Sequence, residues 1–185
     1  TYFQDEPIMH LSEPHLLAVS QMAKPSVKVL LSGEGADELM GGYVRYKALQ
    51  YPSLLNSIAT IGNLDVFTKQ PRYEKLTRYA QIIKKSDLVL YNGSNIYPND
   101  IAETFGISTP PSNKYRKKIY KEAKSLYPGN LRRQALYFDQ HTYLCSLLDR
   151  NDRCTMGASI ECREPFLDPR LIVGLGSLED KWLFT

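Results

Sequence analysis

The 185-residue sequence holds no apolar run longer than about four residues, of which Leu16-Leu17-Ala18-Val19 is typical, so no membrane span is written into it. It has only three cysteines, Cys145, Cys154 and Cys162, and no two of them stand at C-x-x-C spacing. That excludes a disulfide framework and a cysteine zinc site, and it suits a reducing, cytoplasmic compartment. Neither sign of charge prevails. Against 20 Asp and Glu stand 23 Lys and Arg, and the formal net charge of +3 is too weak to argue by itself for nucleic acid or a membrane surface. The opening Thr1-Tyr2-Phe3-Gln4-Asp5 lacks the basic and apolar segments of a signal peptide. With a close at Trp182-Leu183-Phe184-Thr185, the sequence reads as cut from something longer. Internal repeats and low-complexity tracts are missing too. What is present, 43% hydrophobic and 23% charged residues, is the composition of a globular domain or part of one.

Ser12, Glu13 and Pro14 suit a helix start, and Leu16, Leu17, Val19 and Met22 give that helix an apolar side before Pro25 ends it. Val27-Lys28-Val29-Leu30-Leu31 fits a buried strand. The loop Ser32-Gly33-Glu34-Gly35 follows, and Ala36 to Met40 opens another helix. Helix, strand, glycine loop and helix in series are the grammar of an α/β sheet, although this is the only convincing strand. From Tyr51 to about Asn113, Pro and Gly punctuate pieces of helix length, with helices expected over Tyr73 to Lys85 and Asn99 to Phe105. Lys114 to Tyr127 reads as a basic amphipathic helix, and Leu131 to Leu148 as the longest helix.

A strand that ends in glycines and turns into a helix offers backbone N–H groups to an anion such as phosphate. The same turn carries Glu34, Asp37 and Glu38, which repel phosphate directly. Their coexistence makes sense with Mg²⁺ between them. It is equally explained by a tight glycine turn whose acids complement a helix dipole. Both readings stay open on pattern alone.

The stretch from Asp149 to Asp168 is dense in charge, and the apolar residues among those charges imply that some are partly buried and paired. Arg153 and Arg163 can make bidentate contacts with a carboxylate or a phosphate, but an internal ion-pair network explains the pattern more simply. Lys114, Arg116, Lys117, Lys118, Lys121 and Lys124, with Arg132 and Arg133, interleave with Tyr115, Tyr120 and Tyr127. Such a face can bind nucleic acid, but solvated lysine faces are far commoner. His10, His15 and His141 have no acid or cysteine at ligand spacing. The cysteines read as small buried hydrophobes, and the 13 tyrosines as packing residues.

Taken together, two segments resemble the synthetase domain of glutamine-dependent asparagine synthetases. Leu31-Ser32-Gly33-Glu34-Gly35-Ala36-Asp37-Glu38, followed by Gly41-Gly42-Tyr43, is similar to that family's second nucleotide-site motif. Tyr143-Leu144, Leu147-Leu148, Asp152-Arg153, Met156, Glu161, Arg163 and Pro165-Phe166-Leu167-Asp168 are similar to its later motif, in the same order. Asp5-Glu6-Pro7 also fits. The family's first pyrophosphate loop, Ser-Gly-Gly-x-Asp-Ser, its N-terminal catalytic cysteine and its downstream lysine have no counterpart; Thr155 stands where serine is usual and Met40 where an aromatic is usual.

The resemblance implies an α/β parent fold of the adenine-nucleotide alpha-hydrolase-like kind with a parallel sheet, of which this piece is the mainly α-helical later part with one or few strands. It divides the chain into a nucleotide-site part (1–50), a variable helical region (51–130) and a C-terminal motif region (131–185). The implied reaction is ATP-dependent amidation of aspartate, with ammonia supplied from glutamine by an N-terminal glutaminase domain. Carried over to this sequence, Glu34 is the catalytic residue beside the acyl-adenylate. Ser32, Gly33, Gly35, Asp37 and Glu38 serve the nucleotide, and Asp37 holds Mg²⁺ through pyrophosphate. Asp152, Arg153, Glu161 and Arg163 stand behind these as supporting candidates. By itself the piece is expected to be inactive and to self-associate. An amide-forming enzyme of the same scaffold acting on another carboxylate shares the loop, and a non-catalytic helical module binding a partner through its basic face is the alternative of another class.

Overall fold

The computed structural model describes residues 2, 10–51, 57, 89–90, 98–109 and 112–184. In chain order the described elements are α1 (Glu13–Ala23), β1 (Val29–Leu31), α2 (Ala36–Met40), α3 (Val44–Ala48), α4 (Pro98–Thr104), α5 (Lys114–Leu126), α6 (Leu131–Gln140), α7 (Tyr143–Gly157), β2 (Glu161–Arg163), a 3-10 turn (Pro165–Leu167), α8 (Pro169–Gly176) and α9 (Asp180–Leu183). The chain divides into two units, Thr1–Gly42 with Asp139–Thr185, and Tyr43–Phe138.

In the first unit, β1 and β2 pair in parallel, with Val29 opposite Glu161, Leu30 opposite Cys162 and Leu31 opposite Arg163. Ser32 N donates to Arg163 O and Glu161 N donates to Lys28 O, which extends the ladder at both ends. The sheet that a lone strand could not make is therefore completed by Ile160-Glu161-Cys162-Arg163. That stretch alternates apolar and polar residues but carries too little β-branching to announce itself as a strand. β1 is not the buried strand expected: among the described residues Leu31 is 73% exposed.

Helix α7 packs on α1 and on β2, while the 3-10 turn and α8 pack on α2. The buried side of α7 runs Leu144, Leu147, Asn151, Cys154 and Thr155, spaced by one helical turn or less. The side of α1 turned inward carries Glu13 and Ser20; of the apolar side expected, Leu16 and Leu17 are half-buried while Val19 and Met22 are exposed. Ser12 makes no capping bond; Glu13 Oε1 instead accepts from His10 N at 2.9 Å. The expected helix over Leu131 to Leu148 breaks at His141-Thr142, where Thr142 leaves the helical region (φ −131°, ψ −70°). Downstream, Ser159 takes a positive φ of 58° and turns α7 sharply into β2.

In the second unit part of the tyrosine set packs, while Tyr51 and Tyr115 are exposed, contrary to their reading as packing residues. Tyr120 is buried and meets Phe138 edge-on at 6.5 Å, and Tyr127 lies 6.3 Å from Tyr137. The guanidinium of Arg116 lies 4.8 Å over the Phe138 ring, and its Nη2 donates to Leu90 O at 2.6 Å. The expected helices over Lys114 to Tyr127 and Asn99 to Phe105 are present as α5 and α4; the one over Tyr73 to Lys85 lies outside the described residues. No helix among the described residues is long and apolar enough to cross a membrane.

Candidate active site

The loop Ser32-Gly33-Glu34-Gly35 leaves the carboxyl end of β1 inside the first unit. In parallel sheets, that end is where ligands are received. The two glycines differ. Gly35 is buried with φ +88°, a conformation costly for any residue with a Cβ, and an added Cβ would fall on the Leu167 side chain. An added Cβ at Gly33 would meet nothing within 4 Å. One glycine therefore locks the loop to Pro165-Phe166-Leu167, and the other leaves open space above it. The N–H groups of Gly33 and Gly35 donate to nothing among the described residues.

Ser32 Oγ accepts from Glu34 N at 3.2 Å, a tight turn closed by its own side chain, and from Asn151 Nδ2 at 2.9 Å. Glu34 Oε1 accepts from Arg150 Nη2, whose Nη1 donates to Ser12 Oγ at 3.1 Å. The two side chains of this ion pair are 13% and 22% exposed. Arg150 therefore ties the loop to the start of α1, and its Nε is buried without a partner among the described residues. Asn151, 2% exposed, accepts from Arg150 Nη2 at 3.4 Å and donates to Glu164 Oε1 at 3.5 Å. Beneath the loop, burial and then the neighbouring Glu164 carboxylate push the Cys162 thiol up to about 11.

The other expected acids part company. Asp37 is exposed, with its carboxylate lying over the Gly42 backbone, whereas Glu38 is 1% exposed and its carbonyl accepts from Gln140 Nε2 at 2.8 Å. Helix α2 is only five residues long, so little helix dipole stands behind the loop. Among the described residues no group of three or more His, Cys, Asp or Glu is arranged to hold a metal ion. The charged segment did supply partners to the loop, but other ones than expected. Arg153 bonds Asp149 one turn back, and Arg163 bonds Glu161 on the outer face of β2, holding the Glu161 carboxyl below its usual range. The side chains of this segment that bond to the loop's side chains are those of Arg150 and Asn151, and Glu164 stands behind Asn151. An asparagine in register with the buried stripe of α7 was the available signal, because a polar side chain there needs partners. Of the cysteines, Cys145 is exposed, contrary to its reading as a buried hydrophobe.

The asparagine synthase family model matches residues 1–183 of the chain. Asparagine synthetase [glutamine-hydrolyzing] 3 of Bacillus subtilis (strain 168) is 31% identical over 169 residues, which are 91% of this chain and 23% of that protein. Asparagine synthetase [glutamine-hydrolyzing] 1 of the same strain is 30% identical over 177 residues, 89% of this chain and 27% of that protein. A putative asparagine synthetase [glutamine-hydrolyzing] of Mycobacterium tuberculosis (strain ATCC 25618 / H37Rv) is 28% identical over 187 aligned residues. The chain thus spans about a quarter of the length of these relatives. No solved structure matches it significantly. Both segments that meet in the first unit, the loop after β1 and the stretch from α7 to α8, fall inside the matched range, and the chain belongs to the asparagine synthase family.

Proposed function

We propose that the chain forms part of an enzyme that converts aspartate to asparagine, driven by ATP, through an aspartyl-adenylate. The observation that carries this reading is the meeting of the two segments at the Ser32–Gly35 loop, within a chain of this family. The aspartate side-chain carboxylate attacks the α-phosphorus of ATP, and pyrophosphate leaves. Ammonia then attacks the acyl carbon, AMP leaves with the C–O bond electrons, and one proton is lost from nitrogen. Glu34 is the residue assigned to take that proton. Its carboxylate stands on the loop and is held there by Arg150. Ser32, Gly33 and Gly35 line the nucleotide, with the Gly33 and Gly35 N–H groups as donors and the space over Gly33 as room for close approach. Glu38, being buried, serves by holding α2 in place rather than by touching ligand.

The donor set fits Mg²⁺ in one way only. Among the described residues a single exposed carboxylate, Asp37, is available beside the loop, and Mg²⁺ is commonly held by one or two carboxylates plus phosphate oxygens. When bound, the metal supplies charge neutralisation for the leaving pyrophosphate. The ammonia is assigned to glutamine hydrolysis in a domain outside the 185 residues. The test is mass-spectrometric detection of asparagine from aspartate, ATP and ammonia by the intact gene product. Amidation of a different acid, with aspartate untouched, would reassign the substrate; no ATP-dependent amide formation would overturn the reading.

A further inference from the structure

The orientation of one buried amide fixes the direction of a hydroxyl proton on the loop. Asn151 sits between a cation and an anion: its Oδ1 is 3.4 Å from Arg150 Nη2, and its Nδ2 is 3.5 Å from Glu164 Oε1. A guanidinium only donates and a carboxylate only accepts, so the reverse orientation would set donor against donor and acceptor against acceptor. The amide nitrogen is thereby committed to the side where Ser32 Oγ lies, at 2.9 Å. Facing an N–H, Ser32 Oγ must accept. Its second lone pair is taken by Glu34 N at 3.2 Å. A hydroxyl has two acceptor sites and one donor. With both acceptor sites filled, the proton has to leave the network, and it has no acceptor among the described residues.

We infer that Asn151, oriented by Arg150 and Glu164, is a positioning residue that makes the Ser32 hydroxyl a hydrogen-bond donor to the bound nucleotide. The inference rests on the reading of the loop as a nucleotide site. A relay of this kind presents the donor already aligned, so that binding need not freeze a freely rotating hydroxyl.

The experiment is the dissociation constant for ATP, with Mg²⁺ present, measured by titration calorimetry on the intact gene product in a double-mutant cycle. Ser32→Ala removes a hydrogen bond to a charged acceptor and is expected to weaken binding about tenfold. Asn151→Asp offers a carboxylate that captures the Ser32 proton, and is expected to weaken binding by a similar factor. Combined with Ser32→Ala, it should add less than about twofold, because the effect runs through the hydroxyl. The same loss from Asn151→Asp in both backgrounds would show that it acts by charge alone and overturn the inference. Should Asn151→Asp fail to fold, Asn151→Ala replaces it, with about a threefold loss expected beside Ser32 and none in combination with Ser32→Ala. Equal losses there overturn the inference as well. No ATP binding by the unsubstituted protein overturns the nucleotide reading and the inference together.

Discussion

Substituting the two loop glycines one at a time separates what the loop needs to fold from what it needs to bind. Gly35→Ala places a Cβ at φ +88°, which costs about 1–2 kcal/mol for an L-residue. The same Cβ lands on Leu167, and overpacking of that kind costs a further 1–3 kcal/mol or so. The expected destabilisation is therefore about 2–5 kcal/mol. Gly33→Ala meets no atom within 4 Å and has no positive φ, so removing a glycine there is expected to change stability little or raise it by up to about 1 kcal/mol. Urea unfolding of the intact protein, with hydrogen exchange of the loop amides, reads both. Gly35→Ala combined with Leu167→Ala should regain most of the overpacking part and none of the backbone part. ATP affinity should show the opposite order, with folded Gly33→Ala binding more weakly because its methyl occupies the open space. Equal destabilisation by the two alanines would refute the division of roles.

Three further outcomes are expected. Arg150→Met leaves the Glu34 carboxylate three-quarters buried without its cation and should cost about 1–3 kcal/mol by urea unfolding; no measurable loss would mean that the pair is not formed. Asp168 caps α8 by accepting from Arg170 N at 2.8 Å, and its pairing with Arg170 lowers its carboxyl below the usual range. A depressed folded pKa contributes stability above the unfolded value, near pH 4, that is lost as pH falls through the folded value. The stability gap between the unsubstituted protein and Asp168→Ala should therefore be constant near neutrality and close in acid; a gap that widened in acid would contradict this. With its thiol pushed up to about 11, Cys162 should resist iodoacetamide at pH 8 while the exposed Cys145 is alkylated, as followed by peptide mass spectrometry.

The strand-loop-helix around Ser32 was legible in the sequence because glycines and acids crowd one turn directly after an apolar run. The partner strand was not, since Glu-Cys-Arg has neither length nor β-branching, and its place is set by pairing with β1. Parity explains the supporting residues. Along β2 successive side chains point to opposite faces, so Glu161 and Arg163 pair in solvent while Cys162 and Glu164 turn inward. Along α7 the half-buried Arg153 belongs to the recognisable motif and pairs with Asp149, while the turn-spaced stripe carries Asn151 inside. On α1 tertiary packing overrode the apolar pattern, leaving Val19 and Met22 outside and Glu13 within.

The role proposed for Glu34 lies in amination rather than in nucleotide binding. The most direct test compares the intact protein with its Glu34→Gln variant in two assays, aspartate-dependent exchange of pyrophosphate into ATP and yield of asparagine from ammonia. Aspartate-dependent exchange is expected in both proteins, with asparagine formation reduced by about a hundredfold or more in the variant. An absence of aspartate-dependent exchange in the unsubstituted protein, or an equal loss of both activities in the variant, would contradict that role.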